Sequence, residues 1–298
     1  MNKYLIFRTD RIGDFLLTAI LVNSIKRNDT NAIITIVSSE KNYDYIKSFK
    51  SIDEVILLKN NLNSKIKLIK RLRESYYKYL IIHDGKKRSS IISFFLKYGL
   101  KIKENNKLNH THINTIKKIL SDLNFDFIDK DLNILKDRNY NNLIPYPDDD
   151  FILFHFDEKW IYKDYIRKYT RIEPTKNDLL NFINLILKKS NKKLIITTGV
   201  NFPIILNDII NDNLDNRVKI YKNLNFLELE GLISKCKILI SCHGSVSHVA
   251  AANHVKQIDI IEKEKLAFYV KWTAHFRNHS SIFRKRFSDL SKEVLQLL

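Results

Sequence analysis

The chain has 298 residues, of which 44% are hydrophobic and 28% are charged, values that exclude a disordered or fibrous protein. Its 51 Lys and Arg residues exceed its 33 Asp and Glu residues by 18. Such a positive charge favours nucleic acid, an anionic membrane or phosphorylated substrates as partners. The chain is also rich in Ile, Asn and Lys, so a bias toward A/T-rich codons explains part of this charge equally well.

The length predicts two domains of roughly 150 residues each. Apolar, β-rich runs recur along the first half, and each is followed by a stretch with the apolar spacing of a helix. This alternation predicts βαβ units and a parallel sheet covered by helices on both faces. The predicted strands of the first half are residues 3–8, 32–38, 54–58 and 79–83.

A linker is predicted at residues 138–150, which hold two of the four prolines and three successive aspartates. A second alternating series follows it, so the sequence predicts two α/β halves in tandem. We expect an N-terminal domain over 1–140, a C-terminal domain over 150–284 and an amphipathic helix over 285–298. The predicted strands of the second half are 150–156, 193–199, 217–221, 237–242 and 257–262, and its helices include 179–189 and 225–236.

Two cysteines, Cys236 and Cys242, lie in apolar sequence, which is typical of buried free thiols in a reducing cytoplasm. No run approaches the ~18 apolar residues of a membrane span, and no secretion signal begins the chain. We therefore expect a soluble, cytoplasmic protein that can still lie against the inner face of a membrane. The basic helix predicted at 63–79 fits such a contact, and it equally fits packing of its apolar stripe on its own sheet.

The first predicted strand ends in the stretch RTDRIGDF, residues 8–15, where two aspartates and two arginines surround one glycine. Ligands of open parallel sheets bind outside the carboxyl ends of the strands. Gly13 permits a tight turn there, and Asp14 would stand in the first turn of the next helix. Asp10 or Asp14 alone could simply cap the helix, but the whole cluster favours a functional site. The motifs G-x-G-x-x-G and GK[ST] are absent, which excludes nicotinamide and P-loop chemistry.

A second candidate site is the stretch SCHGSVSHVAAANHV, residues 241–255, which runs from the end of a predicted strand into the start of a helix. Its small residues leave backbone N–H groups accessible at a helix start, an arrangement that holds phosphate. The sequence therefore predicts a diphosphate site. A serine hydrolase is disfavoured because G-x-S-x-G is absent, and the His and Cys spacing matches no usual zinc site. His248 can also be an ordinary histidine satisfied within its helix.

The chain resembles the bacterial heptosyltransferase-type glycosyltransferases of family 9, which build lipopolysaccharide cores. The resemblance rests on RTDRIGDFLLT, on YLIIHDGKKRSSIISFFLKYG (79–99) and on SKCKILISCHGSVSHVAAA. It implies the GT-B architecture, in which two Rossmann-like domains with parallel sheets face a cleft. It also implies that the first domain binds the acceptor, the second binds the nucleotide sugar, and the helix 285–298 packs back on the first domain.

The resemblance also implies roles for individual residues. Asp14 follows the family's glycine and becomes the catalytic base, oriented by Arg11, and Lys159 precedes a tryptophan and would neutralise the donor diphosphate. The other implied cleft residues are Asp10, Arg11, Gly13 and Lys86 on the acceptor side, and His243, Gly244, Ser245, Val246, Ser247 and His248 on the donor side.

The donor motif departs from the family pattern D-T-G-x-x-H. The histidine matches His248, but His243, Gly244 and Ser245 replace the aspartate, threonine and glycine. The family's paired threonines after the first strand of the second domain are also missing, since Phe156 and Asp157 follow His155. The departures fall where the motif wraps the phosphates and sugar of the donor.

Inverting sugar transfer needs a carboxylate that accepts the proton of the acceptor hydroxyl and a cationic pocket for the leaving diphosphate. An aspartate is already ionised at neutral pH. We expect neither a metal nor another cofactor, because the resemblance assigns the diphosphate to Lys159 and the helix start. The expected partners are a nucleotide-sugar donor and a lipid-linked saccharide acceptor, with peripheral contact to an anionic membrane and no nucleic acid.

The sequence thus predicts a hexosyl- or heptosyltransferase acting on a lipopolysaccharide, lipooligosaccharide or other surface glycan. The alternative is a non-catalytic two-domain protein that binds nucleic acid or anionic lipid. The basic, aromatic segment 271–287 fits that alternative by stacking on single-stranded bases. The resemblance instead places this segment at the border of the donor site.

Overall fold

A computed structural model of the chain describes residues 1–104, 110–136, 138, 140, 150–210, 212 and 214–298. The chain divides into two compact units, Met1–Lys136 and Asp137–Leu298. The division falls close to the start of the predicted linker, and most of that linker lies outside the described residues.

The first unit contains one five-stranded parallel sheet with the order β3-β2-β1-β4-β5. Its strands are β1 Asn2–Phe7, β2 Ala32–Ser38, β3 Glu54–Leu57, β4 Tyr76–Ile82 and β5 Lys97–Lys103. Its helices are α1 Ile12–Asn28, α2 Tyr43–Lys47, α3 Leu62–Arg73, α4 Lys87–Ser93 and α5 His112–Asp122.

The central strand β1 explains where a site can form in this unit. Tyr4, Leu5, Ile6 and Phe7 are fully buried, because both faces of the strand are covered. The strands that follow β1 in the chain lie on both sides of it, β2 on one side and β4 on the other. The carboxyl end of β1 is therefore the topological switch point at which ligands of such sheets bind.

One predicted helix of the first unit is too long. The helix expected over 63–79 ends at Arg73, and β4 begins at Tyr76. The aromatic and β-branched residues from Tyr76 onward form a strand instead, because they pair with β5 and, from Tyr79 opposite Tyr4, also with β1.

The second unit contains a six-stranded parallel sheet with the order β11-β10-β9-β6-β7-β8. Its strands are β6 Phe151–His155, β7 Lys193–Thr197, β8 Val218–Tyr221, β9 Ile238–Cys242, β10 Lys256–Ile261 and β11 His279–Phe283. Its helices are α6 Lys176–Lys189, α7 Ile204–Ile210, α8 Phe226–Lys235, α9 Ser245–Ala252, α10 Leu266–Thr273 and α11 Phe287–Leu297. The predicted fold class, an α/β protein with two parallel sheets, is confirmed.

The C-terminal helix α11 contributes to the core of the second unit. The expected packing of 285–298 on the first domain stays a prediction. Phe287, Leu290 and Val294 share one helix face and are buried. The ring of Phe287 packs edge-on against Phe182 of α6 and against Trp160, with centroids 5.6 and 6.3 Å apart. The apolar stripe of α11 is therefore buried against the aromatic core of the second unit.

Cys236 and Cys242 are free and buried, as predicted. Across the described residues, no helix combines the length and apolar character needed to cross a bilayer.

Candidate functional site

The stretch that follows β1 borders an open cavity of about 840 Å³ in the first unit. Three of the predicted acceptor-side residues and the predicted base line it, and seven residues that the sequence did not single out contribute to the same wall. The lining includes Asp10, Arg11, Asp14 and Lys86, together with Thr9, Lys41 and Arg88.

Asp10 is an anchored carboxylate. Nη1 of Arg8 donates to its Oδ2 at 3.1 Å, and the ammonium of Lys86 forms a close ion pair with its Oδ1. The buried Arg8 in turn donates from Nε to Oγ1 of Thr18 at 2.6 Å. Asp10 therefore balances two cations and fixes the shape of the loop.

Asp14 is held at the start of α1 and keeps one oxygen available. Its Oδ2 accepts the backbone N–H of Arg11 at 3.0 Å, which supports the helix start as an acid in the first turn does. Oδ1 has no hydrogen-bond partner among the described residues. The sequence assigned this orienting role to Arg11, and the structure shows that its backbone, rather than its guanidinium, performs it.

Gly13 is the second residue of α1 and has helical neighbours on both sides, so the tight turn that this glycine would permit is not formed there. Its predicted place on the acceptor side of the cleft stays a prediction. The glycine with a left-handed backbone in the described part of the chain is Gly85, at φ 60°. Its turn brings the N–H of Lys86 back to Oδ1 of Asp84 at 3.1 Å.

A network around Asp84 was missed by the sequence reasoning. Asp84 follows β4 and is buried, and it accepts hydroxyl hydrogens from Thr9 at 2.6 Å and from Ser89 at 2.7 Å. Arg88 donates to Oγ1 of Thr9 at 2.7 Å. Since β4 lies next to β1 in the sheet, the polar run HDGKKR after a predicted strand was the available signal.

The second unit brings Lys159 to the start of α9. The Lys159 ammonium lies 2.8 Å from Oδ2 of Asp157 and donates to the carbonyl oxygens of Cys242 and His243 at 3.2 and 3.3 Å. Its side chain keeps 21% exposure, whereas that of Asp157 keeps 5%. A cation is therefore fixed beside the end of β9 and remains reachable from solvent.

Both members of this pair are charged. Burial is the largest influence on the pKa of Lys159 and would lower it, but the neighbouring groups together, with the Asp157 carboxylate foremost, raise that pKa above its usual value. Burial likewise would raise the pKa of Asp157, but Lys159 and then His155 hold it well below its ordinary range. The ammonium is thus permanently protonated at physiological pH.

Gly244 makes room for the ammonium. A Cβ at this position would lie 2.7 Å from Nζ of Lys159. The backbone at Gly244 is extended, with φ at 175°, so conformational freedom is not the reason for glycine here. The first N–H groups of a helix have no intrahelical partner, and they lie immediately beyond Gly244.

A buried carboxylate joins the predicted His243 to a second histidine that the sequence did not single out. Asp259 on β10 is fully buried, and it lies 2.6 Å from Nδ1 of His243, 3.2 Å from Nε2 of His279 and 2.9 Å from the donating hydroxyl of Ser247. Burial is the largest influence and would raise the pKa of Asp259, but His243 and His279 together lower it. Sequence reasoning missed Asp259, although a lone acid in the apolar run QIDIIE was a signal.

The remaining predicted donor residues divide between the core and the helix start. Val246 and His248 are buried, and the His248 ring packs edge-on against Phe276 with centroids 5.1 Å apart. The interpretation of His248 as a histidine packed within its fold therefore fits its surroundings. Ser245 begins α9 next to Gly244. The structure thus brings Lys159 and residues 243–248 together within the second unit.

Among the residues that the structure describes, no three His, Cys, Asp or Glu side chains are placed to hold a metal ion. The expectation that the protein needs no metal or other cofactor stays a prediction.

No family model matches the chain, and no curated protein matches its sequence. Solved structures do match its fold over nearly the whole length. E. coli heptosyltransferase WaaC with ADP has a TM-score of 0.74 and 12% identity, covering 99% of this chain and 98% of its own. The glycosyl transferase family 9 protein of Veillonella parvula has a TM-score of 0.70 and 13% identity, covering 99% and 88%.

The chain has the GT-B fold. The predicted likeness to heptosyltransferase-type proteins is confirmed at the level of architecture. The GT-B fold alone leaves the reaction open, because a putative UDP-N-acetylglucosamine 2-epimerase from Listeria monocytogenes also matches, with a TM-score of 0.60, 12% identity and 99% and 87% coverage. The predicted cleft between the two GT-B halves stays a prediction.

Proposed function

We propose that this protein is a glycosyltransferase that moves a sugar from a nucleotide-sugar donor to a saccharide acceptor. One observation carries the proposal: a permanently charged Lys159 ammonium lies against the start of α9, and Gly244 leaves space for it. A cation beside unpaired helix N–H groups is the arrangement that binds a diphosphate. In E. coli WaaC, a protein of the same fold, ADP is bound.

The carboxylate-bearing cavity of the first unit supports the second half of the reaction. We assign Asp14 as the base, since its Oδ2 is fixed by Arg11 and its Oδ1 is available. The acceptor hydroxyl oxygen bonds to the anomeric carbon of the sugar while the bond from that carbon to the diphosphate oxygen breaks. The hydroxyl proton passes to Asp14, and the nucleoside diphosphate leaves with its negative charge compensated by Lys159.

The substrates are proposed at a finer level. Lys41 and Arg88 at the acceptor-side cavity suit an acceptor that carries phosphate or carboxylate groups, whereas Lys86 is already paired with Asp10. A lipid-linked surface saccharide, such as a lipopolysaccharide or lipooligosaccharide core, has that chemistry. The donor sugar would be a heptose or a hexose. We place the enzyme in the cytoplasm with peripheral contact to the inner face of the membrane, without nucleic acid as a partner.

The departures at the donor site bear on which sugar is transferred. His243, tied to Asp259 at 2.6 Å, stands where the related family has an aspartate. Nδ1 of His243 is engaged by Asp259, so only Nε2 of the ring can meet a sugar hydroxyl, whereas a carboxylate offers two acceptor oxygens. We therefore expect this protein to prefer a donor sugar other than that of a D-T-G-x-x-H enzyme.

A mass-spectrometric transfer assay tests the proposed function. The full chain is incubated with a panel of ADP-, UDP-, GDP- and CMP-sugars and with lipooligosaccharide cores truncated to different lengths. The expected result is an acceptor that gains the mass of one sugar while free nucleotide accumulates. Conversion of the donor sugar without an acceptor product would indicate an epimerase, and neither reaction together with salt-sensitive binding to oligonucleotides or lipid would favour the non-catalytic alternative.

The base assignment has a matched control. Asp14→Asn should lower the transfer rate by about a hundredfold or more, because the amide cannot accept the proton yet still accepts the Arg11 N–H. Asp44 also lies in the first turn of a helix of the first unit, but it does not line the cavity. Asp44→Asn should therefore leave the rate unchanged, and an Asp14→Asn enzyme with full activity would refute the assignment.

A further inference from the structure

Helix α4 and the turn after it present an apolar face to solvent. Ile91, Phe94 and Phe95 are 59, 78 and 52% exposed. Their spacing of i, i+3 and i+4 places them on one side of the helix. The opposite side holds Ile92 and Leu96, which are buried against the sheet. Two neighbouring exposed phenylalanines on an otherwise satisfied helix need a partner to bury them.

The chain segment that carries this apolar face has basic residues as its only charged residues. Between Asp84 and Glu104 the chain has no acidic residue and six basic ones. The ammonium of Lys101 lies 4.9 Å from the centroid of the Phe94 ring. Burial lowers the pKa of Lys101, and the nearby Lys103 lowers it further. The basic residues are Lys86, Lys87, Arg88, Lys97, Lys101 and Lys103.

Helix α3, which the sequence suggested for membrane contact, uses its apolar stripe to pack within the first unit. Leu68 and Leu72 of α3 are buried in the core of the first unit, and Ile69 packs against the same core. The interpretation of α3 as a surface helix packed on its own sheet is therefore the one that the structure supports.

We propose that Ile91, Phe94 and Phe95 insert into the surface of an anionic lipid bilayer, while the surrounding lysines contact its headgroups. Aromatic and aliphatic side chains flanked by lysines are the composition that binds at the headgroup and acyl boundary. Lysine stems can reach from the apolar layer to the phosphates. An acidic protein surface would match the lysines but would leave the two phenyl rings without apolar partners, so the bilayer is the better fit.

The exposed face of α4 lies near the acceptor-side cavity, as a lipid-linked acceptor requires. The inference therefore rests on the acceptor proposed above and adds a membrane contact to it. Arg88 in the first turn of α4 lines the cavity beside Asp14. Phe94 follows six residues later, about 9 Å along the helix. A lipid anchored at Phe94 and Phe95 would thus hold its saccharide close to the cavity.

Vesicle sedimentation tests the inference without any sugar transfer. The full chain is mixed with vesicles of phosphatidylglycerol and phosphatidylethanolamine or with pure phosphatidylcholine vesicles. Binding is expected to the anionic vesicles and to weaken with salt. Replacing both rings, Phe94→Ser with Phe95→Ser, should weaken this binding about tenfold or more.

Phe268 on α10 supplies the matched control, because it is 53% exposed, close to the 52% of Phe95. Phe268→Ser should bind anionic vesicles like the wild type. Circular dichroism checks that every variant is folded. The inference would be overturned if the wild-type protein did not bind anionic vesicles, or if the double variant bound them like the wild type. A wild-type dimer that the double variant converts to monomer in light scattering would also overturn it by assigning the face to a second copy. None of these outcomes depends on whether the protein transfers a sugar.

Discussion

Replacing Gly244 with alanine is the sharpest perturbation of the proposed diphosphate site. The new Cβ would lie 2.7 Å from Nζ of Lys159, whereas ordinary contacts begin near 3.4 Å. The lysine end is flexible, so the ammonium should retreat by about 1 Å. This movement breaks its hydrogen bonds of 3.2 and 3.3 Å to the carbonyls of Cys242 and His243.

The retreat has a calculable effect on diphosphate binding. With an effective dielectric constant near 20, a unit charge about 4 Å from the ammonium contributes about 4.2 kcal/mol, and one about 5 Å away contributes about 3.3 kcal/mol. For the roughly two charges of a diphosphate the loss is about 1.7 kcal/mol, or about a fifteenfold rise in Kd. The fold should lose about 1 kcal/mol or less, since the extended backbone accepts alanine but alanine is a poorer N-cap residue than glycine.

Isothermal titration measures this Kd with the nucleoside diphosphate that the wild type binds most tightly. Gly99→Ala is a suitable control, because its Cβ would also approach a side-chain end, the Tyr76 hydroxyl at 2.7 Å, but in the first unit. We expect it to leave nucleotide affinity unchanged. A folded Gly244→Ala protein with wild-type affinity would show that Lys159 does not hold the diphosphate.

Acidification and thiol labelling test two other features. The pKa values of Asp157 and Asp259 are held below the ordinary 3.8, so their stabilisation is complete above about pH 4 and is lost as the pH falls through the folded-state values. Denaturant unfolding at a series of pH values should show a steeper acid loss in the wild type than in Asp259→Asn, and equal slopes would contradict this account. Burial raises the pKa of Cys242 to about 12, so the native protein should resist thiol reagents at mildly alkaline pH and react once unfolded; prompt labelling of the native thiol would contradict its burial.

The central strands that the sequence predicted are buried from both sides, and the edge strands β3 and β8 were predicted as well. Continuous apolar runs such as β1 and β2 leave a signal that needs no knowledge of the partner strand. Two edge strands were missed for the opposite reason. The strand β5 alternates lysines with apolar residues, and β11 is rich in small polar residues, because an edge strand faces water along one side.

The charged clusters at the strand ends were also predictable, since ligands of parallel sheets gather there. The contacts that the residues of these clusters make with one another were not predictable. Lys159 reaches carbonyls 83 and 84 residues away, and Asp259 meets His243 only through the β9–β10 pairing. The helical conformation of Gly13 was not predictable either, because glycine permits a tight turn without requiring one. The partner of α11 was unpredictable because an amphipathic stripe does not identify what covers it.

The most direct test of the account is a crystal structure of the protein with its preferred nucleoside diphosphate. We predict that the diphosphate oxygens lie within hydrogen-bond distance of Nζ of Lys159 and of backbone N–H groups at the start of α9, beside Gly244. A nucleotide bound with its phosphates away from both groups would contradict the proposed donor site.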